Sequence, residues 1–375
     1  MRFQKTQLLF FVSIILFSCS PTGNKNVSGE AERTLETHYA EGFVINYFDD
    51  YKEILVKAPW AENQMLERYY LVMDEKTTVP KDSRKIVVPL KSLGVASCTS
   101  FEFLYMLNEA QSITGICSPE LIYNADITNR YKKGGLANLG DAFNLNFEQL
   151  LLLRPEAVMV SGFNQMNEQD NRIIQAGIPI IYNNEWTEQS LLGRAEWIKF
   201  IAAFYDKEHE ADSIFSIIES NYNTIKEMAQ QVENKPTILS GSNFKGTWYM
   251  PGGKSYMGCL FSDAGSDYFY KNDTTTTSLP LSFEMVLKEF RDADYWICSA
   301  NSMKELRNSD ERYALFKAVQ TGKVYSSNNR TTPTGGNDFW ESAVARPDLL
   351  LSDLIKVLHP ELMLDYELVY VKKVE

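Results

Sequence analysis

Hydrophobic and polar positions alternate with two different rhythms along the chain. Between residues 40 and 95, β-rich runs at 42–47, 52–56 and 69–73 predict a set of antiparallel strands. Beyond Ile86 the rhythm changes to short apolar runs separated by amphipathic segments of helix length. Ile113-Thr114-Gly115-Ile116, Ala157-Val158-Met159-Val160 and Ile178-Pro179-Ile180-Ile181 read as buried parallel strands, with helices near 100–108, 147–154 and 168–176. The same rhythm resumes after Lys235, with strands at 237–239 and 295–297 and helices near 255–263, 282–290 and 340–357. Between these two stretches lies a helical segment at 188–233, broken around Tyr205-Asp206. In its second half Ala211, Ile214, Phe215, Ile218, Tyr222, Ile225 and Met228 form one apolar stripe. The predicted fold class is therefore α/β, with two lobes joined by a long, rigid helix and preceded by a β-rich extension.

Composition adds bounds to this picture. The 375 residues are 44% hydrophobic and 23% charged, an ordinary globular balance that supports more than one core. The formal charge of -12, with no basic run to offset it, opposes nucleic-acid phosphates and excludes DNA and RNA as expected partners. Arg2 and Lys5 precede an apolar run at 8–17, and Leu16-Phe17-Ser18-Cys19 closes it. That is the pattern of a secretory signal whose end resembles a bacterial lipobox. The expected organisation is a signal peptide at 1–19 ending at lipidated Cys19 and a polar tether at 20–39. After these come the β-rich extension at 40–85, lobes at 86–187 and 235–375, and a helical linker at 188–234. This places the protein on the periplasmic face of a bacterial envelope, held by its lipid. Cys98, Cys117, Cys259 and Cys298 are widely spaced and read as buried thiols, although that compartment permits disulfides. The three histidines, His38, His209 and His359, are too scattered for an imidazole metal site, so no direct metal ligands and no cofactor are expected. No phosphate-loop, nucleophile-elbow or H-E-x-x-H pattern occurs, and the chain is not expected to be an enzyme.

An internal echo is the most informative feature. Asn146-Phe147-Glu148-Gln149-Leu150-Leu151 precedes Arg154-Pro155 and its strand, and Ser282-Phe283-Glu284-Met285-Val286-Leu287 precedes Arg291 and its strand. Asn146 and Ser282 suit helix N-caps, and an acid in the first turn gains from the positive helix end, so each Glu is also explained as helix capping alone. Duplicated on two lobes, Glu148 and Glu284 read as paired anionic knobs that would dock against basic pockets.

From Ile86 onward the order of segments resembles the periplasmic binding proteins for iron siderophores, haem and cobalamin. The resemblance is carried by Ala96-Ser97-Cys98-Thr99-Ser100-Phe101-Glu102, the two Glu helices, Ala176-Gly177-Ile178-Pro179 and Gly252-Gly253-Lys254-Ser255 with Asp263-Ala264-Gly265. It implies two Rossmann-like lobes bridged by a rigid helix, a monomer, a metal-chelate ligand, and an ABC permease dimer with its ATPase as partner. It also implies that Glu148 and Glu284 pair with permease arginines. The N-terminal extension has no counterpart in the smaller members.

Open α/β sheets place ligands beyond the carboxyl ends of their strands. The candidate loops there carry Thr99, Ser100, Arg130, Trp186, Lys245, Trp248, Tyr249, Arg330 and Trp340, with Lys132 and Lys133 reading as solvated. Aromatic and basic groups together suit an iron chelate such as a siderophore, ferric citrate or haem. Cobalamin is the alternative ligand, and an envelope enzyme or a scaffold lipoprotein are the alternative classes.

Overall fold

The computed structural model describes residues 30–61, 64–80, 84–163 and 168–375. The leader, Cys19 and the first part of the tether lie outside the described residues.

Two parallel sheets form the centres of the two lobes. In the first lobe the order across the sheet is Ile180–Tyr182, Ala157–Val160, Leu93–Val95, Ile113–Ile116 and Ala137–Asn138. Every neighbouring pair is parallel. Leu93–Val95 and Ala157–Val160 are buried at every position, as strands covered on both faces must be. The second lobe orders Ile238–Ser240, Tyr295–Cys298 and Val324–Ser326 in parallel, and Lys372–Lys373 closes the edge antiparallel. A separate three-stranded sheet of Asn243–Phe244, Thr247–Pro251 and Ser278–Leu281 belongs to this lobe.

The linker is helical and breaks where expected. Leu191–Glu196 and Ile198–Ala203 are followed, after Asp206 at a positive φ of 58°, by Glu208–Gln230. At 23 residues, that last helix is about 35 Å long. Ala211, Phe215, Ile218 and Tyr222 are buried along it, Ile214 and Ile225 are partly covered, and Met228 at the end of the expected stripe is exposed. It packs on Ile198–Ala203 and on Pro347–Leu358 of the second lobe. Tyr222 donates to Asp263 Oδ2 at 2.6 Å, and Lys226 pairs with Asp263 at 2.9 Å.

The N-terminal extension is a five-stranded sheet, Arg33–Thr34, Phe43–Tyr47, Tyr51–Lys57, Met65–Val72 and Arg84–Val87. Its first four strands are antiparallel, as their alternation predicts, but the fifth runs parallel to the fourth. The boundary expected at residue 86 therefore falls inside a strand.

Two buried carboxylates fasten this sheet to the linker. Glu196 accepts the backbone N–H of Tyr39 at 2.8 Å and of Ala40 at 2.9 Å, with His38 at 3.0 Å. Glu188 accepts from the backbone of Glu41 and Gly42 and from the Trp197 indole. A Cβ on Gly42 would come within 2.7 Å of the Trp197 ring, so only glycine allows this approach.

One expectation along the second lobe needs correction. The last helix is Pro347–Leu358 rather than one beginning near 340, because Pro347 opens it and Asp338–Trp340 is only a short 3-10 turn. Arg346 lies ahead of the helix and pairs with Asp348. The small sheet around Trp248 was not anticipated.

Candidate functional site

All loops that follow the parallel strands of the first lobe emerge on one edge, because each strand returns through a covering segment to the same starting side. The loop after Leu93–Val95 carries Cys98 and Thr99, and that after Ile113–Ile116 carries Tyr123 and Asn124. Phe163 follows Ala157–Val160, and Asn183 to Trp186 follow Ile180–Tyr182.

The loop after Val324–Ser326 in the second lobe comes to meet this edge. Glu341 of that loop accepts the backbone N–H of Tyr123 at 2.8 Å and of Asn124 at 2.9 Å. The Cys98 thiol lies 3.9 Å from the Trp340 carbonyl, and a Cβ on Gly336 would stand 2.7 Å from the Ile122 carbonyl. The interlobe edge is thus already bridged by hydrogen bonds and close packing.

Acidic groups dominate the bridged region. Burial pushes the Glu341 carboxyl up to about 7, while the two backbone N–H groups pull the other way and Asp338 and Glu102 add to the rise. Burial likewise raises Glu102, with Asp338 raising it further and Arg346 and Arg330 opposing. Glu185 is buried and raised for the same reason, partly offset by a hydrogen bond from Thr99. Burial moves the Cys98 thiol up to about 12, so it stays a thiol at neutral pH.

Beside this region three aromatic rings form a continuous surface. Phe143 lies 5.2 Å from Phe163, and Phe163 stacks on Trp186 at 5.2 Å with 28° between planes. All three are exposed, Phe143 to 74%. The Trp186 carbonyl is held by Arg194 at 2.8 Å, and the Arg194 guanidinium lies 4.1 Å over the ring of Tyr256 in the second lobe. These large apolar rings are left in water at strand carboxyl ends, where open α/β sheets place their ligands, and are not core.

The expected cleft residues divide accordingly. Thr99, Trp186, Arg330 and Trp340 fall in or beside the interlobe region, with Arg330 paired to Asp338 at 2.9 Å and Trp340 exposed. Three placements correct the sequence reading. Trp248 is fully buried, its indole donating to the Ser240 carbonyl at 2.7 Å amid Trp296, Tyr313 and Phe316; it is core. Ser100 is buried and accepts from Asn183 at 3.1 Å, which makes it an internal tie. Arg130 donates to the carbonyls of Ala110 and Ile113, both at 2.7 Å, so it clamps the amino end of the strand, opposite the ligand edge. Lys245 is the exposed, left-handed tip of a hairpin that follows Ile238–Ser240, with its ammonium 5.2 Å over the Phe244 ring. Tyr249 is exposed on the adjoining strand, opposite Pro280.

Phe143, Phe163, Glu102, Glu185 and Glu341 were not anticipated. Phe163 was within reach, since Gly162-Phe163 directly follows an apolar strand; nothing local marks Phe143.

The two Glu helices are built as their caps suggest. Asn146 accepts from Gln149 N–H at 3.1 Å and Ser282 from Met285 N–H at 3.2 Å. Glu148 and Glu284 are exposed; Arg312 reaches Glu284 at 3.6 Å. Leu152 and Met285 lie uncovered on the same two helices.

A family model described as periplasmic binding protein matches residues 95–331. An uncharacterized lipoprotein of Methanocaldococcus jannaschii is 24% identical over 366 residues, which span 91% of this chain and 84% of the relative. Among solved structures, a possible iron-binding periplasmic solute-binding protein from Staphylococcus epidermidis superposes with TM-score 0.56 at 17% identity, over 72% of this chain and 100% of its own. A periplasmic heme-binding protein from Roseiflexus sp. RS-1 superposes with TM-score 0.54 at 15% identity, over 72% of this chain and 98% of its own. At these identities the likeness is one of fold.

Proposed function

From the premise that this chain belongs to the periplasmic binding protein family, we propose that it captures a bulky, ring-bearing metal chelate and delivers it to an ABC permease of the inner membrane. The observation that carries this reading is the exposed ring surface of Phe143, Phe163 and Trp186 at the strand carboxyl ends, beside the second lobe. Iron is favoured as the metal by the iron-binding and heme-binding descriptions of the similar structures. A lipid on Cys19 would hold the carrier to the envelope, in keeping with the lipoprotein relative.

Cobalamin is a second reading with its own support. With Arg130 turned to the amino end of its strand, the interlobe region holds Glu102, Glu185, Asp338 and Glu341 against Arg330 and Arg346. Such a balance suits a chelate of low negative charge better than ferric citrate.

Titration of the purified protein with haemin, a ferric tricatecholate, ferric citrate and cyanocobalamin, followed by tryptophan quenching, tests the proposal. One planar or ring-bearing chelate should bind, and Phe163→Ala and Trp186→Ala should each weaken it by about tenfold. Unchanged affinity in both variants would remove the ring surface as the binding site. Ferric citrate as the sole ligand would overturn the ligand class.

A further inference from the structure

A second concavity lies between the N-terminal sheet and the start of the linker, with a volume of about 820 Å³. That size falls in the range of about 300–1,000 Å³ usual for small-molecule sites. Its floor and one wall belong to the N-terminal sheet, which precedes the span matched by the family, and its other wall, Thr187 to Ser190, lies inside that span.

Strand alternation explains its apolar floor. Phe43, Ile45, Ile54 and Val56 point into the core, so the intervening Val44 and Leu55, directly paired across strands, face the other way and line the concavity. Trp60 and the 45%-exposed Met65 form one wall, and Thr187 to Ser190 form the other. An apolar cross-strand pair and a half-exposed indole on an otherwise polar sheet face are unexplained by folding.

Charge within the concavity is nearly balanced. Lys57 supplies one ammonium against the carboxylates of Glu41 and Glu188, and the Glu188 oxygens are already taken by backbone N–H groups and the Trp197 indole. A strongly anionic guest finds no net attraction here. Gln64 and Gln189 offer neutral amide edges.

Each wall is one residue along the chain from a group that reaches the aromatic surface or its neighbour. Leu66, next to Met65, lies 3.1 Å from the Cβ position of Gly162, the neighbour of Phe163, and Thr187 follows Trp186 in the chain. We propose that this concavity binds a neutral, ring-bearing organic group, the arm of the same ligand whose body rests on Phe143, Phe163 and Trp186. Assigning the arm to that ligand rests on the carrier reading; the concavity itself does not.

Fluorescence titration with the neutral probe N-phenyl-1-naphthylamine, and with the anionic 1-anilinonaphthalene-8-sulfonate beside it, tests the site. The neutral probe should bind saturably and more tightly than the anion. Trp60→Ala and Met65→Glu, at positions outside the sealed core, should each weaken it by about tenfold, and Leu364→Glu, an exposed apolar position elsewhere, by less than about twofold. Circular dichroism and melting of each variant separate loss of the site from loss of the fold. No saturable binding, or equal affinity in wild type and both concavity variants, would overturn the proposal. Chelate binding that depends on Phe163 but coexists with that result would leave the carrier reading standing alone. Probe binding lost as stated, with no chelate bound, would keep the concavity and remove its assignment to a carried chelate.

Discussion

Glu341 reaches out of the second lobe to hold two backbone N–H groups of the first, and burial lifts its carboxyl from the ordinary 4.5 to about 7. A group raised in the bridged state takes up a proton as the bridge forms. Its stabilising effect is complete below about 4.5 and is lost as pH rises through about 7, a difference on the order of 3 kcal/mol. Glu102 and Glu185 are raised as well and slope in the same direction. Melting temperature should therefore fall between pH 5 and 8, and Glu341→Gln, which keeps an acceptor without the charge, should flatten the slope. An identical slope in the variant would take Glu341 out of the account. Residue types alone could not announce this role, because a Glu beside a Trp in a loop looks solvated until a second lobe covers it. The same blindness explains Trp248 and Arg130. Strand phase buries Trp248 and exposes Tyr249, and the last turn of Ala125–Lys132 carries Arg130 back to the wrong end of its strand.

Secondary structure was legible where its causes are local. The caps Asn146 and Ser282, the four-residue apolar strands and the helix break at Asp206 all follow from neighbours in the chain. Leu93–Val95 escaped because three residues with a central glycine make no periodic signal, and Arg84–Val87 was not read as a strand, its parallel pairing being set by distant contacts. The N-terminal sheet shows the same limit at larger size. It looked like an appendage, yet Phe43 packs edge-on to Trp197 at 5.0 Å, the Tyr69 hydroxyl accepts from the Tyr182 backbone, and Glu196 would lose its three N–H partners without it. Lys199 would remain beside Glu196 at 3.0 Å, but the apolar surface under Phe43, Ile45, Ile54, Val56 and Tyr69 would be uncovered to water. A chain beginning at residue 88 should therefore aggregate or melt lower by at least about 10 °C in a thermal scan. A truncated protein as stable as the full chain would show the sheet to be separable after all.

For the molecule as a whole, the proposed delivery would engage the duplicated Glu helices and the bridged lobes together. Reversing Glu148 and Glu284 together to Lys should reduce uptake in cells to no more than about a tenth while changing chelate affinity less than about twofold, since both lie on exposed first turns and neither belongs to the stacked rings. Normal uptake by the double variant would remove them as the docking pair. The long helix is fastened at one end by Lys52 to Glu208 and Lys199 to Asp212, and towards the other by Tyr222 and Lys226 to Asp263. Such a strut leaves the lobes little to rearrange, so on the carrier reading proposed above capture would need no slow closing step and its rate would be set by encounter. Discrimination between guests would then reside in how long each one stays. A long stay would be of no use to such a carrier unless something else shortened it, and under the same reading that agent would be the proposed permease, prising the lobes apart against a helix that does not bend on its own.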